Sequence, residues 1–244
     1  TIDVWEVQSD LSLTKKLSLN NFTPTKFGGN TINSPNAVIA DIDGDGVNEL
    51  WMVDQDGDIF GHKITGNNQF VEQYLIPTEF LGSSAFLTSG DFDGDGKDEL
   101  SVMLHSLDEM DIAPYYRLLI FNLAAGNLNT LLDQALIDAS TEFNNTFRSS
   151  ENSLRFNDID NNGSDELILF VFPYAYIIKF DLIDNKIVAY KENINSNSIF
   201  IGDLNNNGIN EIAFPNNNEI EFYEFAISSR ANPPHNISGF SITN

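Results

Sequence analysis

The chain has 244 residues, no cysteine, 12 basic and 36 acidic side chains, and a formal net charge of −24. That balance argues against nucleic acid and anionic membrane as partners, because both are gripped through Lys and Arg. The missing cysteines exclude disulfides and a thiol nucleophile, and no apolar run reaches the roughly 18 residues of a membrane-spanning helix.

Residues 2–7 (IDVWEV) alternate in the manner of a strand, and 11–19 supply a second one. Residues 20–36, rich in Asn, Thr, Gly and Pro, form a polar connection. A first unit spans 37–75. In it an apolar run precedes the loop DIDGDGVNEL (41–50), and a second apolar run follows. Asp54 to Asp58 (DQDGD) lacks a closing carboxylate and reads as a type I′ hairpin turn. His62 follows in the strand DIFGHKI and is expected on the surface.

The second unit, 86–137, carries the loop DFDGDGKDEL (91–100). Its insertion at 105–114 holds Asp108, Glu109 and Asp111 and reads as a solvated acidic stretch. Residues 138–152 lead to the third unit, 154–194, with the loop DIDNNGSDEL (158–167). Its Phe172, Tyr174 and Tyr176 alternate at strand spacing and are expected to pack in the core. The fourth unit, 198–227, holds DLNNNGINEI (203–212) and shows no outer strand.

The four loops share D-h-[DN]-x-[DN]-G-x-x-E-h, with h apolar, and start at Asp41, Asp91, Asp158 and Asp203, spaced by 50, 67 and 45 residues. Recurrence at this spacing marks an array of similar units. Oxygens at positions 1, 3 and 5 of a tight loop converge, Gly at 6 permits the bend, the carbonyl at 7 turns inward, and a carboxylate at 9 closes the cage. Such hard oxygen ligands suit Ca²⁺. The candidate ligands are Asp41, Asp43, Asp45, the Val47 carbonyl and Glu49; then Asp91, Asp93, Asp95, Lys97 carbonyl and Glu99. In the third and fourth loops they are Asp158, Asp160, Asn162, Ser164 carbonyl and Glu166, then Asp203, Asn205, Asn207, Ile209 carbonyl and Glu211. An EF-hand would need Glu at position 12, where this chain has Met52, Val102, Leu169 and Phe214. Up to four ions are expected, with occupancy falling from loops one and two through three to four. Metal-free acidic turns are the plain alternative, and they fit the fourth loop best.

A strand, D-x-D-x-D-G-x-x-[DE]-h and a second strand, repeated about every 50 residues, resemble the FG-GAP/VCBS repeats of integrin-α-like β-propellers. The resemblance implies an all-β fold. Four-stranded blades would carry calcium loops between their first and second strands, gathered on one face. About four and a half blades are then visible, at 2–19 (partial), 37–75, 86–137, 154–194 and 198–227. Residues 2–7 match 220–225 (IEFYEF) by class, so both ends carry a third strand and the chain reads as part of a larger propeller over 1–229. Residues 230–244, with Pro-Pro and an alternating run, read as a linker or the opening of a fibronectin-III-like module. Two departures stand out. The F-G and G-A-P signatures are absent, and position 9 is Glu instead of the common Asp, which shifts the metal or makes that ligand bidentate.

None of His62, His105 and His235 sits in a metalloprotease pattern or near a nucleophile elbow. The chain therefore reads as non-enzymatic: a calcium-binding extracellular scaffold for adhesion or protein–protein contact. Its ligand would be a surface protein or glycan, and its setting secreted or cell-surface, in a bacterium. The second reading is an accessory or carbohydrate-binding domain of a secreted polysaccharide-degrading enzyme.

Overall fold

A computed structural model describes residues 2–19, 37–54, 57–78, 84–105, 115–137, 154–171, 174–181, 183, 186–193, 198–216 and 219–224. The expectations placed on 20–36, on Asp108, Glu109 and Asp111, on 138–152, on Phe172, and on 225–244 with His235 lie outside these residues. The described chain is all-β, with seventeen strands in five antiparallel sheets. No helix among the described residues is long and apolar enough to cross a membrane.

The first sheet pairs β1 (Ile2–Val7) with β2 (Leu13–Leu19). Three four-stranded sheets follow, each in sequential order. They are β3 (Val38–Ala40), β4 (Glu49–Val53), β5 (Ile59–Gly66) and β6 (Gln69–Ile76); β7 (Ser84–Gly90), β8 (Glu99–His105), β9 (Tyr115–Ala124) and β10 (Asn127–Ile137); and β11 (Leu154–Asn157), β12 (Glu166–Val171), β13 (Tyr174–Asp181) and β14 (Lys186–Asn193). The last sheet has three strands, β15 (Phe200–Gly202), β16 (Glu211–Asn216) and β17 (Glu219–Glu224). Every acidic loop joins the first and second strands of its sheet.

The second strands explain the stacking. Their side chains alternate between faces, yet nearly all are buried, so both faces must be covered. Leu50 and Met52 of β4 pack with Phe60 and Leu19 against the β1–β2 sheet. Trp51 and Val53 point the other way, to Leu87, Val102 and Phe121 of the next sheet. Leu167, Leu169 and Val171 of β12 likewise join Met103 and Leu118 behind them, while Ile168 and Phe170 join Ile212 and Phe214 ahead. Each fully buried Leu, Ile or Phe contributes about 1.5–3 kcal/mol of transfer free energy, so the face-to-face contacts dominate stability.

Two expectations change. His62 is buried, 4 % exposed, edge-on to Phe60 and 3.8 Å from Glu72, because both faces of its sheet are covered. The turn after β4 is longer than a two-residue type I′ hairpin. Asp54 N donates to Asp58 O at 3.0 Å, bracketing three residues, and Gly57 takes a left-handed φ of 86°. Tyr174 and Tyr176 stack edge-on at 6.3 Å, and Tyr176 enters the core.

Candidate metal centres

The first Asp of each loop is a hydrogen-bond hub. In loops one, three and four its two oxygens accept from the amides of positions 5 and 6, and in loop two one oxygen accepts from position 6 alone: Asp45 and Gly46 donate to Asp41 at 3.0 and 2.7 Å, and Asn162 and Gly163 to Asp158, both at 3.0 Å. Asn207 and Gly208 donate to Asp203 at 3.0 and 2.9 Å, and Gly96 to Asp91 at 2.9 Å. Position 3 accepts from the position-5 amide through Asp43, Asp93 and Asn205, at 3.0, 3.2 and 2.9 Å. The position-7 amides of Val47, Lys97, Ser164 and Ile209 donate to the side-chain oxygens of Asp45, Asp95, Asn162 and Asn207, at 3.0, 2.9, 2.8 and 2.7 Å. Gly46, Gly96, Gly163 and Gly208 take the positive φ that this bend requires.

Position 9 closes the frame. Oε2 of Glu49, Glu99, Glu166 and Glu211 accepts from the amide two positions into the loop (Ile42, Phe92, Ile159, Leu204) at 3.1, 2.8, 3.0 and 2.7 Å. One oxygen of each glutamate is thus held by backbone, which leaves Oε1 to face the loop interior and works against the bidentate ligation that the Glu-for-Asp exchange raised.

Three sets of carboxylates come together with their oxygens within 4.8 Å of one another: Asp41, Asp43, Asp45 and Glu49; Asp91, Asp93 and Glu99; Asp158, Asp160 and Glu166. Asp95 is outside the second set, and the fourth loop supplies only Asp203 and Glu211 as carboxylates. Asp91 Oδ1, Asp160 Oδ1 and Glu166 Oε1 are buried and accept no hydrogen bond, and Glu166 is fully buried. Buried acceptors without a donor are costly, and oxygens alone, at this spacing, are what a hard divalent cation requires. The residues fit such an ion.

Electrostatics point the same way. Burial pushes Glu99 up to about 7, with the charge of Asp93 adding to it against the Asn122 and backbone hydrogen bonds. Burial and Asp160 bring Glu166 to about 7 as well. Burial and Asp43 raise Glu49, and burial and Asp95 raise Asp93.

The third strands of the three four-stranded sheets supply residues that the loop motif does not contain. Lys63 of β5 pairs with Glu49 in register, and its ammonium lies 2.8, 2.5 and 3.3 Å from Asp43 Oδ2, Asp45 Oδ2 and Glu49 Oε1. Tyr74 of β6 donates its hydroxyl to the same Asp43 oxygen. Burial would raise Asp43, but these two donors hold it below the usual carboxylate range, while burial and the bond to Asp43 push Tyr74 up to about 12. Lys179 of β13 stands 2.7 Å from Asp160 Oδ2 and 3.8 Å from Glu166 Oε1. In the second loop the corresponding residue is Asn122, which donates to Glu99 Oε1 at 2.8 Å. Strand alternation counted back from the loop glutamate would have found all three, given the register.

Neighbouring loops touch. Asp165 N donates to Asp91 O at 2.6 Å, Asp91 N returns a bond to Asp165 Oδ2 at 3.1 Å, and Asn210 Nδ2 reaches Asn157 Oδ1 at 2.8 Å. Asn161 Nδ2 bonds Gly208 O at 3.2 Å, and the Lys97 side chain lies over Gly44. The four loops therefore line one edge of the stacked sheets. Residues 41–102 match the family model of the FG-GAP-like repeat. The matched FG-GAP-like stretch begins at the first Asp of loop one and ends in β8, so it contains two of the acidic loops. No curated protein matches the chain. A crystal structure of a protein from Lactobacillus plantarum aligns with 79 % of this chain at 15 % identity and a TM-score of 0.32. This chain covers 64 % of that protein's length.

Proposed function

We propose that this chain is a calcium-stabilised segment of a β-propeller that serves outside the cell as a rigid scaffold for adhesion or protein–protein contact, without catalytic activity. One observation carries the reading: carboxylates converge within 4.8 Å in three successive loops along one edge, the first two inside the FG-GAP-like match, with buried oxygens there that accept no hydrogen bond. Calcium would supply the positive charge those oxygens lack. The residues to hold it are Asp91, Asp93 and Glu99 in loop two, each already oriented by a backbone amide, and their counterparts in the other loops. Loops of this kind bind at roughly 10⁻⁴ to 10⁻³ M in extracellular modules, a range that favours an extracellular setting. The last sheet leaves Phe200, Ile220 and Phe222 more than half exposed, an apolar face suited to a further blade.

Thermal unfolding in millimolar calcium and in chelator tests the metal. At a hundredfold excess over Kd the ion adds about 2.7 kcal/mol, so Tm is expected to rise by roughly 5–10 °C for a chain of this size. Glu99→Gln should remove most of that rise. Immobilised matrix proteins and glycans then test the partner, with binding expected in calcium and lost in chelator. Equal Tm in both buffers, together with no binding across the panel, would overturn the proposal.

A further inference from the structure

We infer that the third strand decides which loops take the ion: Lys63 and Lys179 are tethered cations that hold the metal position of loops one and three, and Asn122 leaves loop two as the calcium site. This rests on reading the loops as calcium sites, and it reverses the expectation that loop one ranks with loop two.

The inference starts from register, which is fixed by backbone pairing. Glu49 faces Lys63, and the pairing of Leu100 with Phe121 and of Leu167 with Ile178 sets Glu99 opposite Asn122 and Glu166 opposite Lys179. Each of these third-strand side chains therefore emerges beside the position-9 carboxylate on the loop side of the sheet. An ammonium there meets the oxygens a metal would use. Lys63 Nζ touches three of the four carboxylates in its set, and its side chain is only 11 % exposed. The Lys179 side chain is 17 % exposed and reaches Asp160 and Glu166. A divalent ion entering either loop must displace a largely buried ammonium from the carboxylates it pairs with, or sit against it at short range in a weakly screened site.

Loop two differs in one respect that matters. The Asn122 amide is neutral, donates to Glu99 Oε1, and is itself braced by Asn129 Nδ2 bonding Asn122 Oδ1 at 3.0 Å. It orients the glutamate without bringing a cation, so no third-strand ammonium competes with the ion for Asp91, Asp93 and Glu99. The one lysine within the loop, Lys97, is directed outward over Gly44, with its ammonium 3.7 Å from the exposed Asp95.

Calorimetric titration of the whole chain with CaCl₂ tests this. Wild type is expected to bind one tight equivalent, which Glu99→Gln abolishes. Lys63→Met and Lys179→Met should each add one equivalent. Asn122→Lys should weaken the wild-type site by about tenfold or more, a change of 1.4 kcal/mol per decade. Should Lys63→Met be unstable without metal, its Tm in chelator will fall below wild type and recover in calcium by more than wild type gains, which the inference equally requires. Three wild-type equivalents untouched by either Lys→Met change would overturn this inference and leave the calcium reading intact. No calcium uptake by wild type or any variant would overturn both.

Discussion

The second acidic loop and the fourth are built on one hydrogen-bonded frame, and almost everything around that frame differs. In both, the first Asp accepts from the position-6 amide at 2.9 Å, and the closing Glu accepts from the position-2 amide. Yet Phe92, the apolar residue at position 2, is fully buried between two sheets, whereas its counterpart Leu204 is 56 % exposed. Gly90, just before loop two, is closed over by Phe156 and Asp165 of the next unit, and Gly202, just before loop four, has open space around it. The lesson is that the loop conformation is local, set by Asp, Gly and Glu, while its burial comes from the sheet that follows. A site gains depth, and an ion gains low-dielectric surroundings, only where a neighbour covers it.

The largest expected effect separates the two apolar plugs. Phe92→Ala should cost about 3–5 kcal/mol, the range for emptying a buried aromatic site, and Leu204→Ala should stay within about 0.5 kcal/mol as a surface change. Urea unfolding of both variants checks this, and equal losses would mean that loop four is covered as deeply as loop two.

The glycines give a smaller contrast. A Cβ on Gly90 would lie 2.6 Å from Phe156 Cβ, so Gly90→Ala should cost about 1–3 kcal/mol by overpacking. Gly202→Ala meets nothing within 4 Å and should be neutral or slightly stabilising by less than about 1 kcal/mol. The same unfolding series measures both.

The smallest effect concerns pH at a covered face away from the loops. Burial lowers the pKa of His62, with Glu72 pulling weakly upward. A histidine whose folded pKa lies below its unfolded value contributes full stability above the unfolded pKa, about 6.5, and loses it as pH falls. His62→Gln should therefore flatten the decline in unfolding midpoint between about pH 7 and pH 5 relative to wild type. Parallel profiles for the two proteins would show that His62 is as solvated as the sequence had implied.

Much of this was written in the chain. Four copies of an Asp, Gly and Glu pattern specify four bends, because a positive-φ glycine and carboxylates that accept nearby amides close such a loop with no help from afar. Apolar runs on either side of each loop specify strands, and continuous burial in the second strands requires sheets covered on both faces. The sequence could not say that His62 is covered, that Asp165 reaches back to Asp91, or that Gly90 must stay small. It gave no sign that Lys63 and Lys179 would enter loops one and three while Asn122 faces loop two. Those facts depend on strand register and on which sheet stacks upon which, and both are settled by packing between residues far apart in the chain. Local chemistry shaped the loops; the fold decided how deep each lies and what stands opposite its glutamate.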